Sequence, residues 1–266
     1  MSADFSGAAP GYLKKSKVQS VAAERLLELL DLGPEEDVLD LGCGPGHLTA
    51  RLREQTRGRV VGADASAAMI AAARQAHPEL EFRECPAHRV GEFGAFDAVF
   101  CNSAFQWFKP PGPALSGIHA ALKPGGRIAI QAPARSHFCP NFVEAVAGVA
   151  GNSRTGPRFR GFRSPWLVRE SADGYRVLFE DAGFRVAFAE LVRTVTHHTV
   201  DEAFGVFESG AQNGYLDPGN YPAPPPEGYR EAFRKIVRET LGRQAGPDGR
   251  VELVLHRIYL VAVRPG

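Results

Sequence analysis

Residues 38–49, Val-Leu-Asp-Leu-Gly-Cys-Gly-Pro-Gly-His-Leu-Thr, constrain this chain more than any other stretch. A short apolar run leads into glycines at 42, 44 and 46, and a helix-compatible segment follows from about His47. That order reads as a buried strand, a tight turn and a helix start, the opening of a parallel α/β unit. Without Cβ atoms, the turn can take left-handed backbone and let a ligand touch the main chain. Gly42, Cys43, Gly44 and Gly46 are therefore candidate ligand-binding positions.

The rest of the chain repeats the alternation. Apolar residues from Val18 to Leu30 recur at helical spacing, and Gly33-Pro34 ends that helix. Residues 59–63 predict a second strand, and 66–75 a helix capped by Ser66. Strands are expected at 81–84 and 96–101, a helix at 115–122, and a fifth strand at 127–131 after Lys-Pro-Gly-Gly. Residues 133–168 lose this regularity. A helix is expected at 172–180 and a strand at 184–194. Residues 199–245 read as helical around a Pro-rich loop, and a last strand covers 251–263. The fold expected is α/β: a Rossmann-like, doubly wound, seven-stranded, mostly parallel sheet with a helical cap inserted after strand five. It divides into an N-terminal helix and ligand-binding core (1–132), a mostly helical cap holding one core helix and strand (133–245), and a final antiparallel strand (246–266), within one domain.

Composition narrows the function. Lys+Arg number 31 against 30 Asp+Glu, a net charge of +1, so phosphate-driven nucleic-acid binding is not expected. Cys43, Cys85, Cys101 and Cys139 form no C-x-x-C pair and no disulfide framework, and no metal site is expected. Neither an apolar leader nor a stretch of about 18 apolar residues is visible, so a cytoplasmic protein without membrane association is expected. The sequence does not specify an oligomeric state.

Two acids identify the ligand chemistry. The loop is G-x-G-x-G, not the dinucleotide G-x-G-x-x-G, and Asp40 stands two residues before it. A carboxylate there repels a pyrophosphate and attracts an ammonium group. Asp64 ends the next strand, where a carboxylate can accept both hydroxyls of a ribose. An amino acid at one end and a ribose nearby describe S-adenosyl-L-methionine.

With VLDLGCGPG, VVGADAS, FDAVFCNSAFQWF and LKPGGRIAIQ in this order, the chain resembles the class I S-adenosylmethionine-dependent methyltransferases. NSAFQWF and the tail DGRVELVLHRIYLVAVRPG are similar to the trans-aconitate methyltransferases. Tyr12-Leu-Lys-Lys-Ser-Lys-Val-Gln19 resembles the opening of the juvenile hormone acid methyltransferases. The resemblance implies a cofactor site of Asp40, the glycine loop, Asp64, Ala65, Met69, Asn102 and Phe105. Pro86 stands where many relatives carry an acid for adenine, which leaves Ala87 and His88, or apolar packing, to hold the base. Both groups of relatives methylate carboxylic acids, which implies a small-molecule carboxylate acceptor. The same likeness implies that Gln19 and Trp107 flank the substrate carboxylate, with Tyr12 nearby.

A carboxylate acceptor needs no general base, whereas a hydroxyl or carbon acceptor does, and His137 is the candidate base. Gln106 is a candidate substrate contact. Arg158, Arg160 and Arg163, with Trp166 beside them, offer guanidinium groups for an acidic substrate. The alternative for each is an ordinary surface or packing residue. Two other functions remain open at this level: methylation of a hydroxyl or carbon in a secondary metabolite or lipid, and a non-catalytic module that binds the cofactor.

Overall fold

Val38–Leu41 form β1, and all four residues are buried because parallel strands flank it on both sides. These neighbours are β2 (Val60–Asp64) and β4 (Phe96–Asn102), and β3 (Glu81–Glu84) closes that edge. Beyond β4 come β5 (Leu122–Pro133), then β7 (Arg250–Val263), then β6 (Arg185–Thr199), giving the order β3-β2-β1-β4-β5-β7-β6. Only the pairings that involve β7 are antiparallel. This computed structural model describes residues 17–266, with side chains from Ala22 onward. It has the seven-stranded, mostly parallel sheet that the alternation predicts.

Helices α1 (Lys17–Leu30), α2 (His47–Gln55), α3 (Ala67–Ala76), α4 (Pro111–Ala121) and α7 (Ala172–Glu180) cover the sheet. Leu26 and Leu30 of α1 pack with Phe100, Tyr259 and Val261 on one face. On the other, Phe179 and Tyr175 of α7 meet Val99, Ile130 and Leu260. Ser66 caps α3 by accepting from the Met69 N–H (3.4 Å).

The cap is built in two pieces. The first follows β5 and holds α5 (Pro140–Gly151) and the short α6 (Gly156–Phe159). The second lies between β6 and β7 and holds α8 (Val200–Ser209), α9 (Ala211–Leu216) and α10 (Tyr229–Arg243). Phe142, Phe207, Phe233 and Leu241 of these helices form one apolar core with Val251, Leu253 and Leu255 of β7. The strand pair runs from Arg185↔Val263 to Thr199↔Arg250, with one register shift between Val186 and Phe188, so its far end carries the cap. Helix α5 falls in the stretch that sequence periodicity leaves irregular. Its glycines weaken it locally, and packing of Phe142, Val146 and Val149 against the cap core supplies the stability. No helix among the described residues is long and apolar enough to cross a membrane.

Candidate active site

The glycine loop and the carboxyl ends of β2, β4 and β5 open into a cavity of about 450 Å³ that continues under the cap. Ligands of open α/β sheets sit at this edge, where strand order reverses between β1 and β4. Gly42, Gly44 and Gly46 all have positive φ, at 77°, 53° and 87°. Each has a different reason to be glycine. A Cβ on Gly42 would lie 2.2 Å from that of Ala104, and one on Gly46 would lie 2.6 Å from the Phe82 ring. On Gly44 it would meet nothing within 4 Å, because this residue lines the open cavity.

Asp64 lines the cavity and holds the loop. Its Oδ2 accepts from the Gly44 N–H (3.0 Å), and its Oδ1 accepts from the Ser66 N–H (2.8 Å). Burial raises its pKa, against these backbone donors, which lower it. The Ala65 N–H lies against it as well, and the remaining lone pairs of the carboxylate are the acceptors available to a vicinal diol. Asp40 is placed differently. It is 2% exposed, lies beneath the loop outside the cavity lining, and accepts at Oδ2 from Thr49 Oγ1 (2.6 Å). Burial pushes its carboxyl up to about 7, opposed by the Thr49 hydrogen bond and aided by the Asp64 charge.

Met69, Asn102, Gln106, Trp107 and Trp166 line the cavity. Gln106 is 7% exposed. Its Nε2 donates to Ser103 O (2.7 Å), and its Oε1 is buried without a partner. Several other candidates lie off the lining. The Cys43 side chain packs with Ile70, Ala73 and Phe82, and Phe105 is fully buried against Phe179, with ring centroids 5.3 Å apart. Ala65 and His88 are exposed, and Pro86 and Ala87 also stand outside the lining. Tyr12 and the Gln19 side chain fall outside the described residues.

The proposed base and arginine clamp are not brought to the cavity. His137 is exposed, and its Nδ1 meets Ser136 Oγ at 3.1 Å. Arg160 and Arg163 are exposed, and half-buried Arg158 lies toward Tyr221 and Tyr229. The short α6 and the turn after it aim these side chains away, while Phe162 and Trp166 of the same segment line the cavity.

Sequence reasoning missed a buried cation that faces the cavity. Arg257 lies on β7 opposite Pro133, at the carboxyl end of β5. It is 7% exposed, and no acidic side chain pairs with it among the described residues. Gln131, with its amide satisfied at both ends, accepts from Arg257 Nη1 (3.0 Å) and donates to Ser103 Oγ (2.8 Å) and Asn102 Oδ1 (3.0 Å). Burial pulls the guanidinium pKa below its usual value. One signal for this residue was present: a charge amid the apolar run Val-Leu-His-Arg-Ile-Tyr-Leu-Val of residues 254–261. A buried strand rarely carries an Arg without a partner. Among the described residues, no cluster of three or more His, Cys, Asp or Glu could hold a metal ion.

Comparison with known proteins agrees with this geometry. The methyltransferase domain family matches residues 38–126. A trans-aconitate 2-methyltransferase of Rhodopseudomonas palustris (strain BisB18) is 30% identical over 95% of this chain and 97% of its own length. One from Azoarcus sp. (strain BH72) is 39% identical over a shorter match, 46% of this chain and about half (49%) of that protein. The crystal structure of the YcgJ protein from Bacillus subtilis superposes with a TM-score of 0.61 at 16% identity, over 93% of this chain and 99% of the other, a likeness of fold. The open wall at Gly44 and the cavity-lining carboxylate of Asp64 suit a ligand bearing a ribose and an amino acid. The chain belongs to the class I S-adenosylmethionine-dependent methyltransferases, in the family of the trans-aconitate 2-methyltransferases.

Proposed function

We propose that this methyltransferase esterifies a small-molecule carboxylic acid. The observation that carries the reading is Arg257, a buried guanidinium on the cavity wall with no carboxylate of its own among the described residues. A buried charge without a counter-ion is costly, and a substrate carboxylate relieves that cost while meeting the fork geometry of the guanidinium. The relatives' name, trans-aconitate 2-methyltransferase, points to an acid acceptor as well.

The cofactor, when bound, supplies a methyl group activated by its positive sulfur. The chain's own residues then position and shield. Asp64 accepts the ribose hydroxyls, and Gly42 and Gly44 leave room for the methionine portion. Asp40 supplies negative charge for its ammonium group from beneath the loop. Arg257 orients the acceptor carboxylate, and Trp107 and Trp166 keep water from the reacting centre. With its carboxylate held by Arg257, the acceptor would present one ionised oxygen as the nucleophile toward the methyl group that the bound cofactor would supply. No proton moves, so no base is required.

The test is methyl transfer from labelled cofactor to a panel of acids and matched alcohols, read as base-labile methyl ester. At saturating cofactor, kcat should stay flat from pH 7 to 9, because a carboxyl group with a pKa of about 4 is already ionised. Methylation of the alcohols alone, with a rate that climbs through this window, would overturn the proposal.

Asp40 gives a separate expectation for cofactor binding. Its carboxyl, at about 7 in the free protein, is part-protonated at neutral pH. A cofactor cation favours the ionised form, so binding below about pH 7 must expel a proton. Affinity should therefore fall as pH drops from 7 to 5 and level off above 7. Calorimetry in buffers of different ionisation enthalpy should detect the released proton, and Asp40→Asn should remove it. Equal affinity at pH 5.5 and 8 would refute this role.

A further inference from the structure

Resting on the carboxylate reading, we infer that the acceptor is a monocarboxylate with an aryl body, and not a polyacid such as the trans-aconitate named in its relatives. Beyond Arg257, the cavity wall changes character. Phe138, Phe142, Phe162, Trp107, Trp166 and Tyr215 all line it. Trp166 is the hub of this wall. Its ring centroid lies 5.9 Å from Trp107, 6.2 Å from Phe138, 6.0 Å from Phe162 and 4.8 Å from Tyr215. The interplanar angles, 57°, 53°, 53° and 72°, offer both ring faces and ring edges to the space they enclose. A flat aromatic guest finds offset and edge-on partners there.

The wall is also fixed in place. Gly214 makes room for the indole, since a Cβ there would lie 2.2 Å from the Trp166 ring. The strap that carries Trp166 is tied on two sides: the Leu167 N–H donates to Gln106 O (2.7 Å), and the Arg163 N–H donates to Asn220 O (2.8 Å). This aromatic enclosure is therefore part of the folded cavity.

Charge counts against a polyacid. Among the described lining residues, the arginines are Arg257, which is buried, and Arg135, which is exposed. A tricarboxylate seated on Arg257 would have only the exposed Arg135 as a second guanidinium, with His256 and neutral side chains such as Ser136, Ser164 and Ser209 to offset the lost hydration of its other anionic groups. An aryl monoacid places its single charge on Arg257 and its ring against the six aromatic side chains.

The test is calorimetry on the full chain saturated with S-adenosylhomocysteine. The probes are 4-phenylbutyrate, 2-naphthylacetate, 2-naphthylacetamide and trans-aconitate. The aryl acids should bind at least tenfold more tightly than trans-aconitate. Trp166→Leu should erase most of that difference while changing the trans-aconitate affinity less than twofold. Phe162→Leu makes the same comparison with a smaller change to the fold. Trans-aconitate binding as tightly as the aryl acids would overturn the inference and leave the carboxylate reading standing. Naphthylacetamide matching naphthylacetate would instead sink the carboxylate reading, and with it this inference. Absence of binding by both aryl acids would also overturn it.

Discussion

Arg257→Met is expected to lower kcat/KM for the acid substrate by about 10²–10³-fold, with Tm unchanged or raised. Hydrogen bonds to charged groups contribute roughly 1.5–3 kcal/mol each, and a bidentate clamp makes two of them. About 1.4 kcal/mol is a factor of ten, so losing both accounts for the fall in rate. The stability effect has the opposite sign. In the free protein Arg257 is buried with no acid beside it among the described residues, and only Gln131 accepts from it. Replacing such a charge with an apolar side chain of similar length removes a desolvation penalty, although Gln131 Oε1 loses one donor. A residue kept only for packing would show the reverse: activity retained and Tm lowered. Arg257→Lys keeps the charge but loses the planar fork, so its rate should fall between the two. Steady-state kinetics and a thermal melt on each variant decide the matter. Wild-type kcat/KM in Arg257→Met would remove the observation on which the carboxylate reading stands.

Asp64→Ala is expected to weaken cofactor binding by about 10²-fold or more, from two lost hydrogen bonds of charged character at roughly 1.5–3 kcal/mol each. The same carboxylate accepts from the backbone N–H groups of Gly44 and Ser66, so the alanine variant also loosens the loop. Asp64→Asn separates the two roles. Its amide oxygen can still accept from Ser66, while its amide nitrogen cannot accept from Gly44 or from a ribose hydroxyl. Calorimetry with S-adenosylhomocysteine should give the asparagine variant intermediate affinity and a Tm nearer to wild type. Unchanged affinity in both variants would remove Asp64 from the cofactor site.

The contrast between the two acids shows what residue spacing can convey. Asp64 is placed by the end of β2, and strand ends are legible from apolar runs and the turns that stop them. It therefore lies on the cavity, where its sequence position puts it. Asp40 is legible as an acid under the glycine loop. Whether its carboxylate reaches the cavity depends on the pleat of β1, and the structure turns it to Thr49. Phe105 and Gln106 are adjacent in sequence, yet the turn after β4 sends Phe105 into the core and Gln106 to the cavity wall.

By itself, the sequence determined the strand–loop–helix unit, the alternation that builds the mostly parallel sheet, and the chemistry of the cofactor. These are local properties: glycine's freedom at positive φ, apolar periodicity, and a carboxylate at a strand end. Only the tertiary structure decided the acceptor side of the cavity. Residues 158–166 supply three arginines and three large aromatics, and it is two of the aromatics, Phe162 and Trp166, that line the cavity. Arg257 comes from the last strand, more than 200 residues after the glycine loop, and it reaches the site because β7 runs antiparallel to β5 and sets Arg257 opposite Pro133. Periodicity within one segment carries no record of which distant strand will lie beside it. That pairing is fixed by the burial of the whole sheet, and with it the one buried, unpaired cation on the cavity wall among the described residues.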